Sequence, residues 1–217
     1  MMSTLMKLAL GKMGQLRPKP QLGESASTIA LPAPACKGGM PLMEALAARH
    51  SSREFAPHEL APPLLSALLW AACGVNRPDG KRTAPSAMNA QEIDVFVALP
   101  GGAYRYEAQG HRLELAAPND LRSITGYQDF VDDAPMGLVY VADHARMRLV
   151  PVDRRAAYAY TAAGATAQNV YLFAAANGLA SVIRAWIDRE AIADALGLTH
   201  DQEVLLSQTV GYPKEGA

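Results

Sequence analysis

The sequence predicts an α+β protein, and three observations carry the prediction. Between Ile93 and Leu115, short strand-like runs are divided by Pro100-Gly101-Gly102 and Gln109-Gly110, the punctuation of an antiparallel meander. Gly137 to Ala142 is a continuous apolar run around Leu138-Val139-Tyr140-Val141, which reads as a strand buried on both faces. Arg154 to Asn177 is a long helical stretch, and ten of the residues from Ala156 to Ala176 are alanine.

Taken in chain order, the first element is basic. Lys7, Lys12, Arg17 and Lys19 precede any acidic residue and are interspersed with Leu5, Met6, Leu8, Leu10, Met13 and Leu16, a pattern compatible with an amphipathic helix. The apolar run is too interrupted to span a membrane and has no clear signal-peptide core, so a soluble, cytoplasmic protein is expected. Pro18 to Pro41 is rich in proline, glycine, serine and alanine and reads as a linker or extended arm. The expected division is an arm over 1–39 and one domain over 40–217, two smaller units being the alternative.

Met40 to Ala48 reads as a short helix with Leu42, Met43, Leu46 and Ala47 on one face. Pro62 to Cys73 is a second helix, with Leu64, Leu65, Leu68 and Leu69 as its buried stripe and Gly74 as its stop. Strands follow at Ile93 to Leu99, Ala103 to Glu107 and Arg112 to Leu115, and Asn119 is expected to cap a short helix ending at Thr125. The small side chains of the long helix let it pack closely on all sides, in the core or at a subunit interface, and Gly178 supplies the left-handed residue that ends it. Leu179 to Ala185 then runs extended before a helix that begins near Asp188.

Composition limits the function classes. Half of the 217 residues are hydrophobic, enough for a sizeable core, and the net charge of −1 supplies no general field for nucleic acid or anionic lipid. Cys36 and Cys73 are too few for a disulfide scaffold, which favours a reducing compartment. The five histidines form no metal-binding pattern, and no nucleophile elbow, Walker loop or dinucleotide fingerprint is present. Asp132-Asp133 lies at a strand entrance and reads as turn chemistry.

Two polar stretches remain. Arg49-His50-Ser51-Ser52-Arg53-Glu54-Phe55 sets two guanidiniums four residues apart around two hydroxyls where a helix ends. Such planar donor forks match phosphate oxygens, although arginines at a solvated helix end also favour its dipole. Pro85-Ser86-Ala87-Met88-Asn89-Ala90-Gln91 is a proline-led turn. Ser86, Asn89 and Gln91 supply donors and acceptors suited to a planar heterocycle, the plainer reading being an ordinary polar loop.

In order and spacing these stretches resemble the two flavin motifs of the nitroreductase family. Gly126-Tyr127-Gln128-Asp129-Phe130 before Asp133-Ala134-Pro135 is similar to that family's mid-chain element, and Ala176-Asn177-Gly178-Leu179 and Val210-Gly211-Tyr212-Pro213 agree with its later ones. The resemblance runs from about Met40 to Pro213. Leu68-Leu69-Trp70-Ala71-Ala72 is similar to the branch holding the azoline-forming dehydrogenases of peptide maturation.

The resemblance implies a mixed, mainly antiparallel sheet flanked by helices, a long central helix, and an intertwined homodimer with FMN at the subunit interface. It implies phosphate contacts from Arg49, His50, Ser51 and Arg53, and ring contacts from Pro85, Ser86, Ala87 and Asn89 of the neighbouring subunit. Gln128 would meet the pyrimidine edge, and the backbone of Ile183, Arg184 and Ala185 would face N5 and O4. Many relatives add basic residues on a longer tail; here only Lys214 is left for that part. Ala185-Trp186 stands where relatives often carry glycine, so Trp186 either narrows access to the ring or is core. The implied activity is reduction of nitroaromatic, quinone-like or related small acceptors by NAD(P)H through flavin N5, with no catalytic side chain and no metal. The alternatives are a dehydrogenase that modifies a peptide or other large substrate, and a flavin-binding protein without turnover.

Overall fold

The computed structural model describes residues 2–20, 25–214 and 216. Its elements are α1 (Thr4–Lys12), β1 (Thr28–Ala30), α2 (Leu42–Ala48), α3 (Pro62–Cys73), β2 (Ile93–Leu99), β3 (Gly102–Glu107), β4 (Arg112–Ala117), β5 (Met136–Asp143), α4 (Val152–Ala176), β6 (Ala180–Arg184), α5 (Arg189–Leu196) and β7 (Gln202–Gly211). The strands form a 7-stranded sheet in the order β1-β4-β3-β2-β5-β7-β6, and every neighbouring pair is antiparallel.

Helices cover both faces of this sheet. On one, Leu68, Leu69 and Ala72 of α3 and Ala159, Ala163, Ala167 and Val170 of α4 pack with Val95, Val97, Leu138 and Tyr140. On the other, Ile192 of α5 and Leu16 pack with Phe96, Ala98, Val139 and Val141. Strands β2 and β5 are therefore buried on both sides, which is why, apart from Asp94 and the terminal Asp143, their sequences run apolar without alternation. Gly178, at φ +65, ends α4 as expected, and the Asp188 side chain caps α5 by accepting from the Ala191 N–H at 3.1 Å.

Several expectations need correction. Part of the stretch read as a linker adds a strand, because Thr28–Ala30 pairs with Arg112–Glu114; its residues 21–24 lie outside the described residues. The N-cap of the 3-10 turn Arg122–Ile124 is Leu121, not Asn119, and the side chain that bonds into the turn is that of Asp120: its carboxylate accepts from the Arg122 N–H at 3.0 Å and pairs with the Arg122 guanidinium at 2.7 Å. The expected apolar face of α2 is not buried within the chain, where Leu42, Met43 and Leu46 are exposed and Ala45 alone is covered. Helix α4 likewise buries one face while Val152, Tyr158 and Tyr160 are exposed.

The N-terminal helix reverses its expected polarity. Leu5 and Met6 are exposed, whereas Lys7 is wholly buried. Its ammonium bonds the Asp132 carboxylate at 2.7 Å and the Gln128 carbonyl at 3.3 Å. Asp132 is thus half of a buried ion pair that fastens α1 over the 126–132 segment, a pairing too distant in sequence for local patterning to reveal.

A second buried charge sits where the 85–91 turn enters β2. Glu92 is 0% exposed and its carboxylate oxygens find no partner among the described residues. Burial raises its pKa, opposed by the nearby Arg146 and His144.

Two outcomes are expected. Lys7→Met leaves Asp132 buried alone and should cost about 3–5 kcal/mol in urea unfolding, with Asp132→Leu in the same chain restoring most of it. Glu92→Gln should stabilise the protein by about 1–2 kcal/mol near neutral pH. Because the folded pKa lies above the ordinary 4.5, the stability that Glu92 contributes is fully present below that value and declines as pH rises through the folded value. Thermal melts across that range should show the decline in wild type and its absence in Glu92→Gln.

Candidate functional site

Strand β6 forms one edge of the sheet, so its outer side has no strand to pair with. The stretch after α2 lies along it. The Ser52 N–H donates to the Ser181 carbonyl at 3.0 Å, Ala56 N–H to Tyr212 at 2.9 Å, and Lys214 N–H to Glu54 at 3.2 Å. These bonds bring the C-terminal Lys214 beside Arg53, although some 160 residues separate them, roughly the whole domain.

Tyr171 of α4 organises this corner. The Arg49 guanidinium lies 5.4 Å above its ring, the Ser51 hydroxyl is 2.9 Å from its phenol oxygen, and that oxygen accepts the Ile183 N–H at 2.9 Å. Sequence reasoning missed Tyr171, because nothing local to α4 sets it apart from Tyr158 and Tyr160 on the same helix. His50 turns back, its Nδ1 2.9 Å from the Ala48 carbonyl, and so closes the end of α2. Arg49 is half-buried, whereas Ser51, Arg53 and Lys214 are exposed. Among the described residues none of these three cations forms an ion pair, leaving their donors for an anion.

The 85–91 turn is a second, separate feature. Met88, Asn89 and Gln91 adopt φ of 54°, 54° and 51°, a left-handed conformation rare in residues other than glycine. Such strain costs about 1–3 kcal/mol per residue and persists where the surroundings enforce it. Here Ser86 Oγ accepts the Gln91 N–H at 2.9 Å, the Gln91 side-chain amide donates to the Gly80 carbonyl at 3.1 Å and to Asn89 Oδ1 at 3.2 Å, and Arg146 donates to the Gln91 carbonyl at 2.7 Å. Ser86 and Gln91 hold the turn's shape, while Pro85 and Asn89 are exposed. Cys73 lies behind the turn, and burial pushes its thiol up to about 12, so it stays protonated at neutral pH.

Pro85, Ser86 and Ala87 face Tyr158, Thr161, Ala162 and Ala165 of α4 across a cavity of about 370 Å³. Tyr171 follows Ala162 by nine residues, which is about 13 Å of rise and about two and a half turns. The Arg49 corner and the Pro85 turn therefore meet α4 at different heights, about 13 Å apart along its axis.

The remaining expected positions divide. Ala185 and Trp186 are exposed at the end of β6, and the Trp186 ring stands 5.7 Å from that of Tyr127, so the indole is not core. The Arg184 side chain turns away from the edge into the protein, where it donates to Thr209 Oγ1 at 2.5 Å, Ser207 Oγ at 3.1 Å and the Thr125 carbonyl at 3.3 Å. The Gln128 side-chain carbonyl oxygen is also buried, with no partner among the described residues. A Cβ on Gly126 would lie 2.9 Å from both Arg184 Nε and that oxygen, so glycine lets the 126–128 segment and the end of β6 come together. No group of side chains able to hold a metal ion occurs among the described residues.

The sequence profile described as the Nitroreductase family matches residues 46–212. A crystal structure from Ralstonia eutropha JMP134, provisionally designated a nitroreductase, is 49% identical with a TM-score of 0.89, covering 92% of this chain and 96% of that one. A Methanocaldococcus jannaschii protein with the same provisional designation is 32% identical over 168 residues, 69% of this chain and 81% of its own. The NADPH:FMN oxidoreductase of Vibrio harveyi, solved with NAD+, shares the fold alone at 19% identity and a TM-score of 0.58, covering 80% of this chain and 69% of that one. The profile covers the edge-strand corner, the strained turn and the long helix between them, and the chain belongs to the Nitroreductase family.

Proposed function

We propose that this protein is an FMN-dependent oxidoreductase that takes reducing equivalents from NAD(P)H and passes them to nitroaromatic, quinone-like or related small acceptors, working as a homodimer. The observation that carries the reading is the split site: an anion-ready corner of Arg49, Ser51, Arg53 and Lys214 gathered at Tyr171 of α4, and a rigid turn that faces the same helix about 13 Å further along its axis. A two-fold axis that sets the corner of one copy against the turn of the other completes a site that one copy leaves in halves. Exposed Leu42, Met43, Leu46 and Tyr158 supply an apolar surface for that contact.

The residues present fit the cofactor's phosphate. Arg49, held by Tyr171, and the exposed side chains of Arg53 and Lys214 offer charge-assisted donors, and the Ser51 hydroxyl adds one more. When bound, FMN supplies hydride transfer through N5, donor and acceptor using the same place in turn. The chain's own part is to bind the phosphate, to fix the ring with Pro85, Ala87 and Asn89, and to position the β6 backbone at Ile183 to Ala185 beside it. Tyr171 sets the depth of that approach, because its phenol ties the Ile183 N–H to Ser51. His50 contributes by holding the end of α2 against the phosphate corner. No helix among the described residues is long and apolar enough to cross a membrane.

The test is an absorbance spectrum of the purified protein, followed by anaerobic addition of NADPH and then NADH. Flavin bands that bleach support the reading. Flavin bands that bleach with neither nucleotide, together with no turnover of small nitro compounds, favour the peptide-modifying dehydrogenase. A colourless protein that does not take up FMN overturns the assignment. Arg49→Ala should weaken FMN binding at least tenfold, the loss of a charged hydrogen bond worth about 1.5–3 kcal/mol. Light scattering should give a mass near twice that of the 23.1 kDa chain.

A further inference from the structure

We propose that the Arg184 side chain is an electrostatic positioning group, a buried positive charge set behind the candidate ring site to favour the reduced, negatively charged form of the cofactor over the oxidised one. The inference rests on the FMN reading above and adds to it, since that reading uses only the backbone at this position.

The geometry is that of a cation buried without a counter-ion. Arg184 is 6% exposed. Its donors go to the hydroxyls of Ser207 and Thr209 and to the Thr125 carbonyl, and its guanidinium lies 5.3 Å above the Phe130 ring. All of these partners are neutral, and no carboxylate lies within ion-pair distance among the described residues. The other buried cation of this region, Lys7, is by contrast neutralised at 2.7 Å by Asp132. Burial of a charge without a partner is costly, and desolvation lowers the Arg184 pKa to about 9, still high enough to keep it charged at neutral pH.

Hydrogen bonding alone does not require this arrangement. A structural cross-link between β6, β7 and the 122–125 turn can be made by a neutral amide, which avoids the desolvation. What a guanidinium adds is a field, and its location gives the field a target. Arg184 is the last residue of β6, between Ile183, whose N–H meets the Tyr171 and Ser51 corner, and the exposed Ala185. The low-dielectric surroundings formed by Phe130, Val131 and Val182 keep water from screening that charge. A flavin ring lying against the outer edge of β6 would gain one negative charge on two-electron reduction and N1 deprotonation, and a fixed cation behind the strand stabilises that form without moving. Gly126 keeps the guanidinium in place, since any Cβ there would strike Arg184 Nε at 2.9 Å.

The test compares the midpoint potential of bound FMN in the wild-type dimer, in Arg184→Lys and in Arg184→Gln. Loss of the charge in Arg184→Gln should reduce the preference for reduced over oxidised FMN about tenfold, about 30 mV for a two-electron couple, while Arg184→Lys keeps most of it. A purely structural cross-link predicts instead a lower melting temperature in Arg184→Gln with the potential unchanged, and that result overturns the proposal. Should Arg184→Gln fail to fold, the wild-type protein decides the matter: reduced bound FMN titrated by absorbance should stay anionic to a lower pH than free reduced FMN. Titration at the same pH as free FMN, or above it, overturns the proposal while leaving FMN binding intact. A wild-type protein that takes up no FMN overturns both this inference and the functional reading beneath it.

Discussion

The structure depends on the close contact of α4 with the sheet. Ala159, Ala163, Ala167 and Ala174 let the helix approach β6, β7 and β2 with little side chain between the backbones, and Val170 fills the remaining space. Larger residues would lift the helix and separate everything it carries. Both halves of the candidate site adjoin α4: Tyr171 reaches the edge strand, and Ala162 and Ala165 face the start of the 85–91 turn across the cavity. The helix is therefore a spacer of fixed length and phase, and two copies related by a dyad would inherit a fixed distance between corner and turn.

Buried charge is distributed unevenly around this frame. The Lys7 to Asp132 pair ties the N-terminal helix to the 126–132 segment, and Arg184 holds the same segment from below through Thr125. Gln128 sits between them with its carbonyl oxygen buried and unpaired. The segment is thus fixed from two sides by cations, one neutralised and one not. On the far side of the molecule, Glu92 and Arg146 flank the strained turn, and Arg146 bonds both Asp94 and the Gln91 carbonyl.

The exposed apolar residues have a common explanation in the same geometry. The helical period of α2 was legible, but the face on which Leu42, Met43 and Leu46 lie finds no cover within one chain. A cluster of this kind beside the candidate corner is a surface that the proposed homodimer would cover. Periodicity reports that a face is apolar; it does not report whether the cover belongs to the same chain.

The sequence by itself determined the α+β class, the bounds of α3 and β2, the doubly buried β5, the end of the long helix at Gly178, and the two polar stretches that carry the family resemblance. Each of these rests on local chemistry: apolar runs, turn residues, a proline, a glycine at positive φ. Tertiary structure alone decided that Lys7 is buried against Asp132, that Asp120 rather than its neighbour bonds into the turn, that residues 28–30 complete the sheet, that Tyr171 joins Ser51 to Ile183, and that the Arg184 side chain leaves the edge its backbone helps to form. The reason is separation along the chain. These contacts join residues from 2 to 125 positions apart, and even the shortest turns on which of two adjacent side chains points inward, a choice made by packing and not by residue type.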